Sequence, residues 1–164
     1  MISPNAVITH QEIKSKKRAL EVLAEKLAAE ARLPGNTDPG ENDTEVINPL
    51  DIFKLLTERE KLGSTGMGHG VALPHARTSL TDTAVGAFIK LDKGIDFDSP
   101  DQQPTDLIFA LMVPEHFTDE HLKILAYLAS LFSDESFCQN IRNATEQDDI
   151  YDKLLHWHLS SQAS

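Results

Sequence analysis

An uninterrupted apolar stretch, TDLIFALMV at residues 105–113, places the strongest constraint on what this chain can fold into. A strand with one face in water alternates apolar and polar side chains, whereas a strand covered on both faces is apolar throughout. Residues 105–113 therefore predict a central strand with helices packed on both faces of its sheet. The stretch AVGAFIKL at residues 84–91 alternates in the manner of another strand.

The segments around these strands have the spacing and the end signals of amphipathic helices. Ser15 is placed to cap one helix, and the pair Asn48–Pro49 is typical of the start of another, which Gly63 ends. A third helix is predicted from Thr118, with one apolar stripe formed by Leu122, Leu125, Ala129 and Phe132. The predicted helical ranges are 16–31, 49 to about 62, from 118 onward, about 134–143, and from about 145 to the end of the chain.

Helices alternating with strands predict an α/β fold, a small mixed β-sheet flanked by helices. We expect a single domain over residues 1–164, with its core at about 12–158. Residues 34–49 carry prolines, glycines and acids without periodicity, and this pattern predicts an extended surface loop.

The charge balance excludes several classes of function. The 26 acidic and 15 basic residues give a net charge of −11, which disfavours binding to nucleic acid or to an anionic membrane surface. Two interpretations remain open: the charge steers a basic protein partner to the surface, or it serves solubility alone. A single cysteine and the absence of a long apolar run favour a cytoplasmic protein that is not embedded in a membrane.

A glycine-rich stretch followed by a histidine, STGMGHGVALPHAR at residues 64–77, is the first candidate for chemistry. Gly66, Gly68 and Gly70 permit close approach of the backbone, so N–H groups here could hold an anion. The pattern is neither that of a P-loop nor that of a dinucleotide-binding turn, and an ordinary surface loop is the alternative. Pro74 should end the strand at residues 71–73, which would present the next side chain, His75, at a strand terminus.

Three side chains complete the candidate site. A neutral imidazole is a good nucleophile near pH 7, and this favours His75 as the reacting group. His121, in the first turn of the third helix, is interpreted either as a core histidine or as a side chain leaning over the site. Arg59, near the end of the second helix, either binds an anion or forms a surface ion pair with Asp51, Glu58 or Glu60.

The run TEREKLGSTGMGHGVALPHAR at residues 57–77 resembles the active-site stretch of the enzyme IIA domains of the bacterial phosphotransferase system. The resemblance is closest to the fructose/mannitol/nitrogen-regulatory type. It continues in SKKRALEVLAEKLA before this run and in TDLIFALMVPEHFTDEHLKILAYLASLF after it, so that it covers about residues 12–158.

The resemblance implies a function and a set of residues. His75 would be the phosphorylated residue, charged by a histidine phosphocarrier protein, with His121 and Arg59 beside it and no metal or cofactor required. The extent of the match favours the nitrogen-regulatory branch, as does the expectation of a free-standing chain. The phosphorylated protein would then signal to regulated targets such as sensor kinases or transporters. The implied phosphoryl-binding loop consists of Ser64, Thr65, Gly66, Gly68 and Gly70.

Two features depart from the family pattern, and three other functions remain open. The loop that ends at Pro49 is longer than expected for the family, and His69 occupies a position where asparagine or a variable residue is expected. Within the family, the alternative is an enzyme IIA component of a fructose/mannitol-type sugar transporter. Outside it, the alternatives are an interaction module with an idle histidine and a metal-dependent hydrolase. The histidines available to such a hydrolase are His69, His75, His116 and His121.

Overall fold

The computed structural model describes residues 2–31 and 47–163, with side chains described through residue 155. After a short 3-10 helix at Pro4–Ala6, the strands are β1 (Val7–Ile8), β2 (Gly66–Gly68), β3 (Val71–Ala72), β4 (His75–Thr78), β5 (Val85–Ile95) and β6 (Thr105–Pro114). The helices are α1 (Lys16–Glu30), α2 (Pro49–Lys61), α3 (Asp119–Ser133), α4 (Glu135–Asn143) and α5 (Gln147–Ala163). Most of the predicted extended loop at 34–49 lies outside the described residues.

The six strands form one mixed sheet in the order β1-β5-β6-β3-β2, with β4 also pairing with β6. Strands β5 and β6 are antiparallel, whereas β3 and β4 both run parallel to β6. The sequence-based prediction of a small mixed sheet flanked by helices is confirmed.

Strand β6 occupies the centre of the molecule and is buried on both faces, as its composition predicts. Ile108 and Met112 pack into a cluster with α1 and α2, whereas Phe109 and Leu111 pack into a second cluster with α3, α4 and α5. Burial of alternate side chains on opposite faces stabilises both layers through the same strand.

Two of the predicted helix starts, at Ser15 and Asn48, are confirmed by single hydrogen bonds. The Ser15 hydroxyl accepts a hydrogen bond from the backbone N–H of Arg18 at 3.1 Å, and the Asn48 side chain accepts one from Leu50 at 3.0 Å. Each bond satisfies a donor that the first turn of a helix leaves unpaired. Pro49 takes the first helical position, as expected.

The strand before Pro74 ends as predicted, and His75 stands at a strand terminus. What the sequence did not predict is a new strand: the Pro74 carbonyl accepts a hydrogen bond from Leu111 at 2.9 Å, and pairing with β6 continues beyond it. His75 is the first residue of this strand, β4, and pairs with Leu111.

Leu122 also departs from its predicted place. It is 66% exposed, although the apolar stripe of α3 predicts burial. The fully buried positions of this helix start only at Leu128, since the first turn lies beyond the end of β6 and next to the His75 region.

Candidate functional site

The His75 side chain is held in one tautomer by the chain itself. Its Nδ1 lies 2.9 Å from the carbonyl oxygen of Leu73, so Nδ1 carries the proton and donates it. The ring is half-buried, and no described group hydrogen-bonds the second nitrogen, Nε2. That nitrogen keeps its lone pair for a reacting atom.

The structure brings His121 against His75, as the functional interpretation of His121 predicts. The two ring centroids are 5.5 Å apart, and the rings meet edge to face at 62°. The Nε2 atom of His121 is buried and has no hydrogen-bond partner among the described residues. Buried polar atoms are normally satisfied, so this nitrogen is available to a ligand oxygen.

Both imidazoles are kept in their neutral form. Burial lowers the pKa of His75; the positive charge of Arg59 lowers it further, while the hydrogen bond to Leu73 and the charge of Glu60 oppose the shift. Burial also lowers the pKa of His121, and the charges of His75 and Arg77 add to this effect. A neutral ring is the nucleophilic form, so the environment maintains reactivity near pH 7.

Two arginines, Arg59 and Arg77, line the same groove as His75 without forming an ion pair. Arg59 donates to the carbonyl of Gly63 at 2.9 Å, and Arg77 donates to the carbonyl of Phe117 at 3.1 Å. Within the described part of the chain, no carboxylate forms an ion pair with either of them. The alternative of a surface ion pair at Arg59 is thus not what the structure shows, and Glu60 pairs with Lys16 instead at 2.8 Å.

These four side chains line one open groove of about 740 Å³. Its other lining residues include the apolar Leu55 and Leu62 from α2. A wide groove with two neutral imidazoles and two free guanidinium groups offers a nucleophile and charge compensation for an anion. It is too open to enclose a small molecule.

The glycine stretch lies elsewhere. The N–H groups of Thr65 and Gly66 donate to Glu60 and to the Ser64 hydroxyl, so neither N–H points free toward an anion. Gly68 lines a different groove, and a Cβ at Gly70 would lie 2.5 Å from Arg142. The structure does not bring the five predicted loop residues to the His75 groove, and their role stays a prediction.

The other histidines of the hydrolase alternative are also apart from the site. His69 is exposed, and its backbone N–H donates to Asp101 at 2.9 Å. The His116 ring packs on Phe117. Among residues 2–31 and 47–155, no three His, Cys, Asp or Glu side chains are grouped closely enough to hold a metal ion.

Sequence reasoning missed Arg77 as a member of the site. A signal existed, because HART at residues 75–78 has strand character and residues two apart in a strand share a face. The prediction that the strand ends before His75 concealed this spacing.

A mixed sheet between two helical layers, with a paired histidine site at its edge, is the architecture of an enzyme IIA domain. The chain belongs to the family described as "Phosphoenolpyruvate-dependent sugar phosphotransferase system, EIIA 2", whose model matches residues 1–157. It is therefore a phosphotransferase-system component, as its sequence resemblance implies.

Several relatives of this chain are named nitrogen regulatory proteins. The chain is 38% identical to that of Bradyrhizobium diazoefficiens over 154 residues, covering 94% of this chain and 92% of the relative. It is 40% identical to that of Escherichia coli K12 over 139 residues, covering 84% and 76%. The crystal structure of nitrogen regulatory protein IIA-Ntr from Neisseria meningitidis superposes with a TM-score of 0.81 at 35% identity, covering 93% and 95% of the two chains.

A similarity in fold alone is found with the crystal structure of mannitol IIA from Escherichia coli. The TM-score is 0.71 at 17% identity, covering 93% of this chain and 97% of that one. No helix in the described ranges combines the length and the hydrophobicity needed to cross a membrane.

Proposed function

We propose that His75 accepts a phosphoryl group on Nε2 from a histidine phosphocarrier protein, and that the phosphorylation state regulates partner proteins. One observation carries the proposal: the Leu73 carbonyl fixes the proton on Nδ1, so the free Nε2 stands in a groove with two unneutralised guanidinium groups. Membership of the phosphotransferase-system family supports the same reaction class.

The transfer needs no metal and no bound cofactor. The Nε2 lone pair forms the new N–P bond while the N–P bond of the donor phosphohistidine breaks, and its electron pair leaves on the donor imidazole. When the donor ring is protonated at its other nitrogen, it leaves neutral, and the His75 ring becomes the protonated phosphohistidine. Alignment and charge compensation, here from Arg59 and His121, provide most of the catalysis in such loose transition states.

The surface around His75 is suited to a protein donor. Leu62 is 86% exposed and lines the groove, and Leu122, next to His121, is 66% exposed. Exposed leucines on either side of a reactive group are typical of a protein contact. We assign this rim to the phosphocarrier protein.

A regulatory role is supported by the relatives named as nitrogen regulatory proteins, which match most of the chain. Targets such as sensor kinases or transporters would then recognise one phosphoform. Phosphorylation adds about −1.5 to −2 charges at one point, by analogy with the hydroxyl residues for which this value is known. The alternative within the family, a sugar-transport component, predicts onward transfer to a IIB domain.

The proposal is tested by phosphorylation with phosphoenolpyruvate, the charging enzyme and the phosphocarrier protein. We expect one acid-labile phosphoryl group on the wild type and none on His75→Ala, with unchanged circular dichroism. The matched control is His69→Asn, because asparagine tolerates the positive φ of 57° that His69 adopts. It should be labelled like the wild type.

Undiminished acid-labile labelling of His75→Ala would refute the assignment of the residue. Rapid transfer from the labelled protein to a IIB domain, without any phosphorylation-dependent protein binding, would support the transport alternative.

A further inference from the structure

Arg77 lies on the same face of β4 as His75 and lines the same groove. The two residues are separated by one position in β4, so their side chains leave the strand on the same face, with Cα atoms about 6.6 Å apart. Their partners on β6 are Leu111 and Val113, which both point into the cluster formed with α3, α4 and α5. Arg77 and His75 accordingly lie on the side of the sheet from which His121 approaches.

The guanidinium group of Arg77 is held in place but not neutralised. It is exposed, its Nη1 donates to the carbonyl of Phe117, and no described carboxylate pairs with it. A guanidinium has five N–H donors, so the remaining ones are free. Arg77 lines the same groove as His75, and its charge acts on His121. A cation in this groove that no described carboxylate pairs with is suited to an anionic ligand.

We infer that Arg77 binds the phosphoryl group carried by His75 Nε2, from the α3 side of the groove, while Arg59 approaches from α2. The inference rests on the proposed function and deepens it. Because the same guanidinium holds the Phe117 carbonyl, the phosphoryl group becomes connected to the segment that leads into α3. Arg77 is then a phosphoryl-binding residue whose hydrogen bonds also connect the phosphoryl group to the surface next to His121.

The experiment uses phosphoramidate as a chemical phosphoryl donor, which separates binding of the phosphoryl group from docking of a protein. We compare Arg77→Gln, Arg77→Lys and the control Lys61→Gln, which removes an equal charge from an exposed position in the same groove. The readouts are the rate of phosphorylation of His75 and the ³¹P titration of the phosphohistidine.

Loss of one charge-assisted contact should slow phosphorylation of Arg77→Gln about tenfold. The pKa of the bound phosphoryl group should rise, because a nearby cation favours its dianion. Arg77→Lys keeps the charge without the planar fork and should lie between Arg77→Gln and the wild type. Lys61→Gln should match the wild type in both readouts.

Failure of this inference differs from failure of the proposed function. If the wild type is labelled on His75, and Arg77→Gln shows the same rate of labelling and the same ³¹P titration, the role of Arg77 alone is overturned. A wild type that takes no phosphoryl group on His75 would overturn both. A parallel loss in Lys61→Gln would show a general effect of charge and would also overturn the specific role.

Discussion

At the scale of single residues, the site depends on two imidazoles that remain neutral for different combinations of reasons. His75 is affected by burial and by Arg59, whereas His121 is affected by burial, by His75 and by Arg77. In each case the neighbouring positive charges make protonation less favourable. The same cations that would compensate a phosphoryl group therefore also maintain the nucleophile.

This arrangement predicts how His75 titrates. Its pKa should lie below the ordinary 6.5 and should rise in Arg59→Gln, since removing a cation makes the protonated ring less unfavourable. The exposed Arg18→Gln on α1 is the control and should leave the pKa unchanged. Ring signals in a two-dimensional NMR titration measure the value directly. A pKa of His75 that falls or stays constant in Arg59→Gln would contradict the electrostatic explanation.

The same shift links the site to stability. Between pH 6.5 and the lower folded-state pKa, the unfolded chain binds more protons at His75 than the folded chain does. The contribution of His75 to the free energy of unfolding is thus fully present above pH 6.5. It is lost as the pH falls through the folded-state pKa of His75.

At the scale of secondary-structure elements, the features that neighbouring residues determine were predicted correctly from the sequence. The apolar run of β6 from Leu107 to Val113 and the caps Ser15 and Asn48 depend on neighbouring residues in the sequence, and the predictions made from them are confirmed. Strand β4 was missed because its pairing with β6 joins residues more than thirty positions apart, and no short-range pattern encodes such pairing. Within the site, His75, His121 and Arg59 were candidates from the residues themselves, and the resemblance implied their roles, while Arg77 required the strand register.

The exposed first turn of α3 gives a prediction at this scale. Leu122→Ser should raise the KM for the phosphocarrier protein severalfold, because losing about 1 kcal/mol of docking free energy corresponds to about a fivefold change in affinity. Labelling by phosphoramidate should not change, since that donor needs no docking surface. Steady-state transfer kinetics measure both quantities.

Leu50→Ser is the matched control, since Leu50 is 54% exposed on the first turn of α2 and lines a different groove. Equal increases in KM for the two variants would indicate a non-specific effect of surface polarity. The thermal stability of both variants should stay close to that of the wild type because neither side chain is buried.

At the scale of the whole molecule, the fold limits how a phosphoryl group can signal. The two hydrophobic clusters share one sheet, and β6 supplies alternate side chains to both. We expect such a core to unfold as one unit, without a separate layer that could rearrange. An added charge of about −1.5 to −2 is also small beside a net charge of −11. If His75 carries the phosphoryl group as proposed, we expect the signal to be local, at the groove of His75.

The shared core is tested by the reactivity of Cys138 in α4. This thiol is 4% exposed, it donates to the Phe132 carbonyl at 3.2 Å, and burial raises its pKa. A thiol reagent should reach it only when the molecule opens. Leu23→Ala removes a fully buried side chain from the cluster on the opposite face of the sheet, at a cost of about 2–5 kcal/mol.

If the two clusters open together, Leu23→Ala should accelerate labelling of Cys138 by at least about tenfold, since 1.4 kcal/mol corresponds to a factor of ten. The exposed Leu50→Ala should leave the rate unchanged. Labelling that stays at the wild-type rate in Leu23→Ala, while denaturant unfolding shows the expected loss of stability, would mean that the layer of α3, α4 and α5 opens independently. Such a layer could rearrange on phosphorylation, and the conclusion that the signal stays within the groove would then have to be abandoned.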